Sequence, residues 1–162
     1  MSLQKKLLAG QSGILFIGTI VAWTGLLNQL QAFHAQYGTY FRFVDCTTPN
    51  PLLTPCFFGS VAFLIALFWS VLAFQDAAKN HVRALRWFLL ACVIFAASVF
   101  SYETAEYYKL FNPGAFSVTC APGVPPFKTT CFYGLVAYIG AFITAIFVMR
   151  AKRSVVTELL TK

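Results

Sequence analysis

The sequence predicts an all-α integral membrane protein. Four transmembrane helices are expected, arranged as two tandem helical-hairpin repeats with a pseudo-twofold axis along the membrane normal. Three observations predict this class. Hydrophobic residues make up 59% of the 162-residue chain and charged residues only 10%, against about 25% charged in an ordinary soluble protein. Four apolar segments are each long enough to cross a bilayer, which takes about 20 residues as a helix. A cysteine-bearing motif at the head of the second segment recurs at the head of the fourth. A soluble fold of this size has too few charges to cover its outside. The chain is also too apolar for disorder and too poor in cysteine for a small disulfide-framed secreted domain.

The first segment runs from about Ile14 to Leu30, the second from Phe57 to Phe74, the third from Leu85 to Tyr102 and the fourth from Phe132 to Met149. None has a central Lys or Arg, and none shows the strict alternation of a membrane β-strand. The whole chain, 1–162, reads as one membrane domain, with repeat one at about 12–75, repeat two at about 85–149 and a basic tail at 150–162. The basic residues set the direction. Lys5, Lys6, Lys79, Arg83, Arg86, Arg150, Lys152, Arg153 and Lys162 fall on one side, which is nine of the 12 Lys and Arg. Arg42, Lys109 and Lys128 fall on the other, with Asp45, Glu103 and Glu106. The positive-inside rule then places both termini in the cytoplasm and the cysteine loops outside a plasma or inner membrane. The net charge of +7 is accounted for by this bias and by attraction to anionic lipid heads, without a nucleic-acid partner. Lys5, Lys6 and the following apolar run imitate a signal peptide, but the run is long for one and span one has a repeat mate in span three.

The duplication is visible residue by residue. Cys56-Phe57-Phe58-Gly59-Ser60-Val61-Ala62 matches Cys131-Phe132-Tyr133-Gly134-Leu135-Val136-Ala137, and Val44-x-Cys46 matches Val118-x-Cys120. Both intervening stretches are rich in proline. Helices in lipid associate through close packing of small residues. Gly59, Ala62 and Ala66 on span two, and Gly134, Ala137 and Ala141 on span four, are therefore expected to be seams facing protein. Residues Leu30–Tyr40 and Glu103–Phe111 are semi-polar and free of proline, so each is expected to continue its helix beyond the bilayer.

Four of the five cysteines lie in the outer loops, on the oxidising side. Repeat equivalence predicts one bridge per repeat, Cys46 with Cys56 and Cys120 with Cys131, each closing a short Pro-rich loop and contributing roughly 2–4 kcal/mol. Four spans, inner termini and two paired-cysteine outer loops together are similar in outline to the disulfide bond formation protein B family. That similarity implies thiol–disulfide exchange, although the CxxC of that family is missing here. Cys56 and Cys131 do sit at helix starts, where a thiolate is favoured. Structural bridges are the preferred reading, and Cys92 reads as a small buried hydrophobe.

Glu103 lies at the outer end of span three with Gln29 as its repeat mate, and the two are expected to face a polar vestibule. Glu106, three residues on, is expected to face the aqueous cap. His34 and His81 lie on opposite faces and cannot share a metal. No zinc, phosphate or nucleophile-elbow motif is present, and no catalytic residue, metal or cofactor is predicted. A quinone or a lipid is the kind of ligand this setting admits. The expected function is therefore a non-enzymatic subunit or oligomer-forming scaffold with a disulfide-stapled outer cap, its partners being the bilayer, further copies or a larger membrane complex. A membrane thiol–disulfide oxidoreductase coupled to a quinone is the alternative, and a small transporter or channel the further one.

Overall fold

The computed structural model describes residues 3–41, 50–75, 79–110 and 124–160, with the side chains of 79–80 and 152–160 left aside. Within these lie α1 (Leu3–Tyr37), α2 (Pro55–Gln75), α3 (Lys79–Tyr107) and α4 (Thr130–Leu160). All four are long and apolar enough to cross a membrane. A single 3-10 turn precedes α2 at Pro51–Leu53 and another precedes α4 at Pro126–Lys128.

The helices stand as a four-cornered bundle in the order α1, α2, α3, α4. α1 packs against both α4 and α2, α3 packs against α4, and the α2–α3 edge is the loosest of the four. Across the diagonals, α2 just meets α4, whereas α1 and α3 stay apart. Buried residues recur at helical spacing on each element. On α1 they are Leu8, Gln11, Leu15, Gly18, Ala22, Leu26 and Phe33. On α3 the stripe is Val82, Leu85, Leu89 and Cys92, and it continues in register to Glu103. The rest of the surface stays apolar: Phe68 is 67% exposed, Ile17 64% and Ile94 59%. Such a belt would drive aggregation in water but is the natural lining of a helix in lipid.

Two glycines on α1 set how closely the helices approach. A Cβ at Gly18 would come 2.6 Å from the Phe63 ring and 3.1 Å from Ala137, and one at Gly25 would come 2.9 Å from Thr130. The seam expected at Gly59 and Gly134 is corrected accordingly. A Cβ at Gly59 meets nothing within 4 Å, and one at Gly134 only touches the Phe63 ring at 3.6 Å. Lower on the same stripes, Ala66 and Ala141 are fully buried, and Ala62 and Ala137 pack against the core.

The outer extensions are helical as far as Tyr37 and Tyr107, short of the expected Tyr40 and Phe111. α1 spans 35 residues, about 52 Å at 1.5 Å per residue, well beyond a hydrocarbon core of about 30 Å. It ends where Gly38, at φ +69°, turns its N–H back to the His34 carbonyl at 2.8 Å. α3 ends in a Schellman arrangement built on Lys109 at φ +53°. There Lys109 N–H donates to Glu106 O at 3.0 Å and Leu110 N–H to Ala105 O at 2.9 Å.

Candidate functional site

The site is built at the heads of α2 and α4. Before α2, the 3-10 turn ends at Thr54 with φ −82° and ψ 154°. Before α4, the second turn ends at Thr129 with φ −81° and ψ 153°. In both, the threonine N–H bonds back to the first proline of the turn, Pro51 O at 3.3 Å and Pro126 O at 3.2 Å. The hydroxyl donates to the same oxygen, at 2.7 Å and 2.8 Å respectively. The extended threonine then launches the helix. Proline suits the first helical position of α2 because it has no N–H to leave unsatisfied. Cys56 and Cys131 are thereby fixed in the first turn of α2 and α4, beside backbone N–H groups that have no partner within the helix.

The diagonal contact between α2 and α4 brings these two residues together. Cys56 Sγ and Cys131 Sγ lie 3.3 Å apart, 75 positions apart in sequence. A disulfide bond is about 2.05 Å, so the sulfurs are in contact and not bonded to each other. Among the described residues the free thiols are Cys92 and Cys131. The bridge expected between Cys120 and Cys131 is therefore not made in this structure. Cys46 and Cys120 lie outside the described residues.

Glu103 lies beside the pair. Its position on the inner stripe of α3 leaves it 2% exposed, and the Thr129 hydroxyl shares its one hydrogen between Pro126 O at 2.8 Å and Glu103 Oε2 at 3.2 Å. The same carboxyl group lies near the Cys131 thiol. A buried carboxyl needs polar partners, and the Thr129 hydroxyl just before α4 supplies one. Gln29, the expected partner in a vestibule, is half-buried on α1, across the unoccupied diagonal from α3. Glu106 is half-buried, with one carboxylate oxygen buried.

Below the sulfurs is an apolar cavity of about 50 Å³ walled by Cys56, Gly59, Phe63, Phe95, Cys131 and Tyr138. Gly59 thus faces this space and not a helix. Its carbonyl accepts the Tyr138 hydroxyl at 2.9 Å, while the Phe63 and Tyr138 rings stack at 3.9 Å and 12°. Cys92 lies beside the same tyrosine. A wider groove of about 230 Å³ runs alongside, sharing Pro55, Phe95 and Val99 and adding Ser98, Tyr102 and Glu103. The groove lies on the α2–α3 edge, the loosest of the four, whereas the cavity is walled by residues of all four helices.

Comparison with protein-family models, with curated proteins and with solved structures finds no match. Among the described residues no three His, Cys, Asp or Glu side chains gather as a metal site. His34 stacks on Tyr40 at 4.4 Å. Sequence reasoning missed Thr129, whose signal was available as a helix-capping Thr two residues before a cysteine, and missed Gly18 and Gly25, which recur at heptad spacing.

Proposed function

We propose that the chain is a membrane thiol–disulfide oxidoreductase in which Cys56 and Cys131 exchange disulfide bonds beside the Glu103 carboxyl group. The observation that carries this reading is the 3.3 Å contact between the two sulfurs, at two helix N-termini and against a buried carboxyl group. A stapling cysteine needs only its bonded partner. A free thiol held against a second cysteine of another hairpin is what exchange requires.

The pairing follows the repeats. Cys46 and Cys56 form one redox pair, Cys120 and Cys131 the other, and the structure's free Cys131 thiol supports a state with the second pair reduced. Glu103 takes the Cys131 proton. The thiolate attacks Cys56 Sγ, the Cys56–Cys131 bond forms, the Cys46–Cys56 bond breaks, and Cys46 leaves as a thiolate that takes up a proton. Cys120 then loses its proton to water and its thiolate attacks Cys131 Sγ, the Cys120–Cys131 bond forms, the Cys56–Cys131 bond breaks, and Cys56 leaves as a thiolate that takes up the proton held by Glu103. The sum converts Cys46–Cys56 to a dithiol and Cys120/Cys131 to a disulfide, moving two electrons between pairs. The Cys120–Cys131 disulfide is reduced in turn by an extracytoplasmic dithiol. A membrane quinone reoxidises Cys46/Cys56, taking two electrons and two protons to become a quinol. The α2–α3 groove opens toward lipid, which supports lateral access for such a ring. The basic end of the bundle supports placing both termini in the cytoplasm and the cysteine end outside.

The test is quinone reduction by a dithiol, followed by absorbance, with the full chain in detergent or nanodiscs. Wild type should turn over, and Cys131→Ser and Cys56→Ser should each lose at least about 100-fold relative to it. If neither substitution alters electron transfer while both lower thermal stability, the cysteines are staples and the chain is a scaffold.

A further inference from the structure

At the opposite, basic end of the bundle, a groove of about 380 Å³ runs between α3 and α4. Its rim carries Arg86 from α3 and Arg150 from α4. Among the described side chains neither guanidinium meets a carboxylate. Arg86 instead lies 5.0 Å from the centre of the Trp87 ring, and that tryptophan is 58% exposed, as an interfacial aromatic would be. Each helix repeats one pattern: a cation at the rim, then an apolar side chain one turn deeper, Leu90 beneath Arg86 and Ile146 beneath Arg150. Phe142 continues the apolar wall toward the bilayer centre.

We propose that this groove is a binding site for an anionic phospholipid. The phosphodiester lies between Arg86 and Arg150, and one acyl chain runs along Leu90, Ile146 and Phe142. Two guanidiniums with no carboxylate against them among the described side chains attract negative charge at the membrane surface, and their planar donor arrays match phosphate oxygens. Basic pockets between transmembrane helices are where acidic lipid heads dock. Charge alone would be served by a soluble anion. The apolar depth beneath the pair selects an amphiphile, because its hydrocarbon covers Leu90 and Ile146 where water would not. This site lies at the far end of the bundle from the cysteines and does not depend on the proposed redox role.

The test is native mass spectrometry of the full chain released from detergent, after titration with phosphatidylglycerol, with phosphatidylcholine of matched chains, and separately with inorganic phosphate. Wild type should retain phosphatidylglycerol about tenfold better than phosphatidylcholine and hold no phosphate. Arg86→Ala combined with Arg150→Ala should remove that preference. Leu90→Trp, which keeps both charges and fills the groove, should also lower retention several-fold. Arg83→Ala, an exposed cation on the same helix, should leave it unchanged. Equal loss on Arg83→Ala, or full retention in Leu90→Trp, would reduce the effect to general surface charge and overturn the site. Phosphate binding as tight as the lipid's would overturn the lipid assignment. Thermal unfolding in detergent checks that each variant is folded.

Discussion

The heads of α2 and α4 are the same device used in two ways. Both are a 3-10 turn, an extended threonine bonded back to a proline carbonyl, and a cysteine in the first helical turn. At the first head the anchor is polar and local: Asn50 accepts from Leu52 N–H at 2.9 Å and donates to Tyr40 O at 2.9 Å. At the second, Pro125 precedes the turn with no side-chain cap, and the threonine hydroxyl reaches across to Glu103. One head is therefore tied to its own loop, while the other is tied to a buried carboxyl group on a neighbouring helix. The difference teaches that a repeated structural motif becomes chemically distinct through one partner residue outside it. Cys56 and Cys131 begin from equivalent positions, but Cys131 lies beside a buried carboxyl group.

The largest expected effect bears on that asymmetry. Glu103→Gln keeps an acceptor for Thr129 and removes the proton acceptor, so thiol–disulfide exchange should slow by about 100-fold with little change in folding. Stopped-flow oxidation of the reduced chain checks this, and an unchanged rate would make the two heads chemically equal. Next comes the support that lets the heads meet. Gly18→Ala pushes a methyl group into the Phe63 ring and should destabilise by about 1–3 kcal/mol. Gly59→Ala, facing open space, should be neutral or stabilise by up to about 1 kcal/mol, provided its methyl does not block the cavity. Thermal unfolding of both variants in one detergent decides between them, and reversal of that order would restore Gly59 as a seam. The smallest effect compares the caps directly. Thr54→Val loses the hydroxyl bond to Pro51 O, costing about 1 kcal/mol, whereas Thr129→Val loses the bond shared between Pro126 O and Glu103 and the cap on Phe132 N–H, and should cost about 2 kcal/mol. Equal shifts in unfolding midpoint would show that Glu103 adds nothing to the second head.

Much of the architecture was legible because its signals are local. Four spans follow from hydropathy, and the outer extensions of α1 and α3 follow from the lack of proline up to Tyr37 and Tyr107. The inward face of Glu103 follows from spacing, since it continues the Leu89 and Cys92 stripe in steps of three and four. Which surfaces touch is a different matter. The small-residue stripe at Gly59 says that a close approach is tolerated there, not that one occurs. The approach is decided by α1, where Gly18 leaves room for the Phe63 edge. Phe63 then lies flat on Tyr138, and α2 and α4 come together above it. The recurrence of the motif placed two thiols at equal depth, but only this packing brings them into contact. For the same reason pairing within each repeat looked complete from sequence, and the free Cys131 beside Cys56 did not appear in it. Gln29 matched Glu103 by position in the repeat, yet α1 and α3 occupy opposite corners, so the polar partner came from α4.

The central claim is that Cys56 and Cys131 are exchange partners, and crosslinking tests it most directly. In the full chain carrying Cys46→Ser and Cys120→Ser, mild oxidation followed by acid quench, alkylation and non-reducing peptide mapping should yield a Cys56–Cys131 linked peptide as the dominant product. The bond should be reversed by a soluble dithiol. Recovery of Cys56 and Cys131 as separately alkylated thiols under the same oxidation would contradict the account.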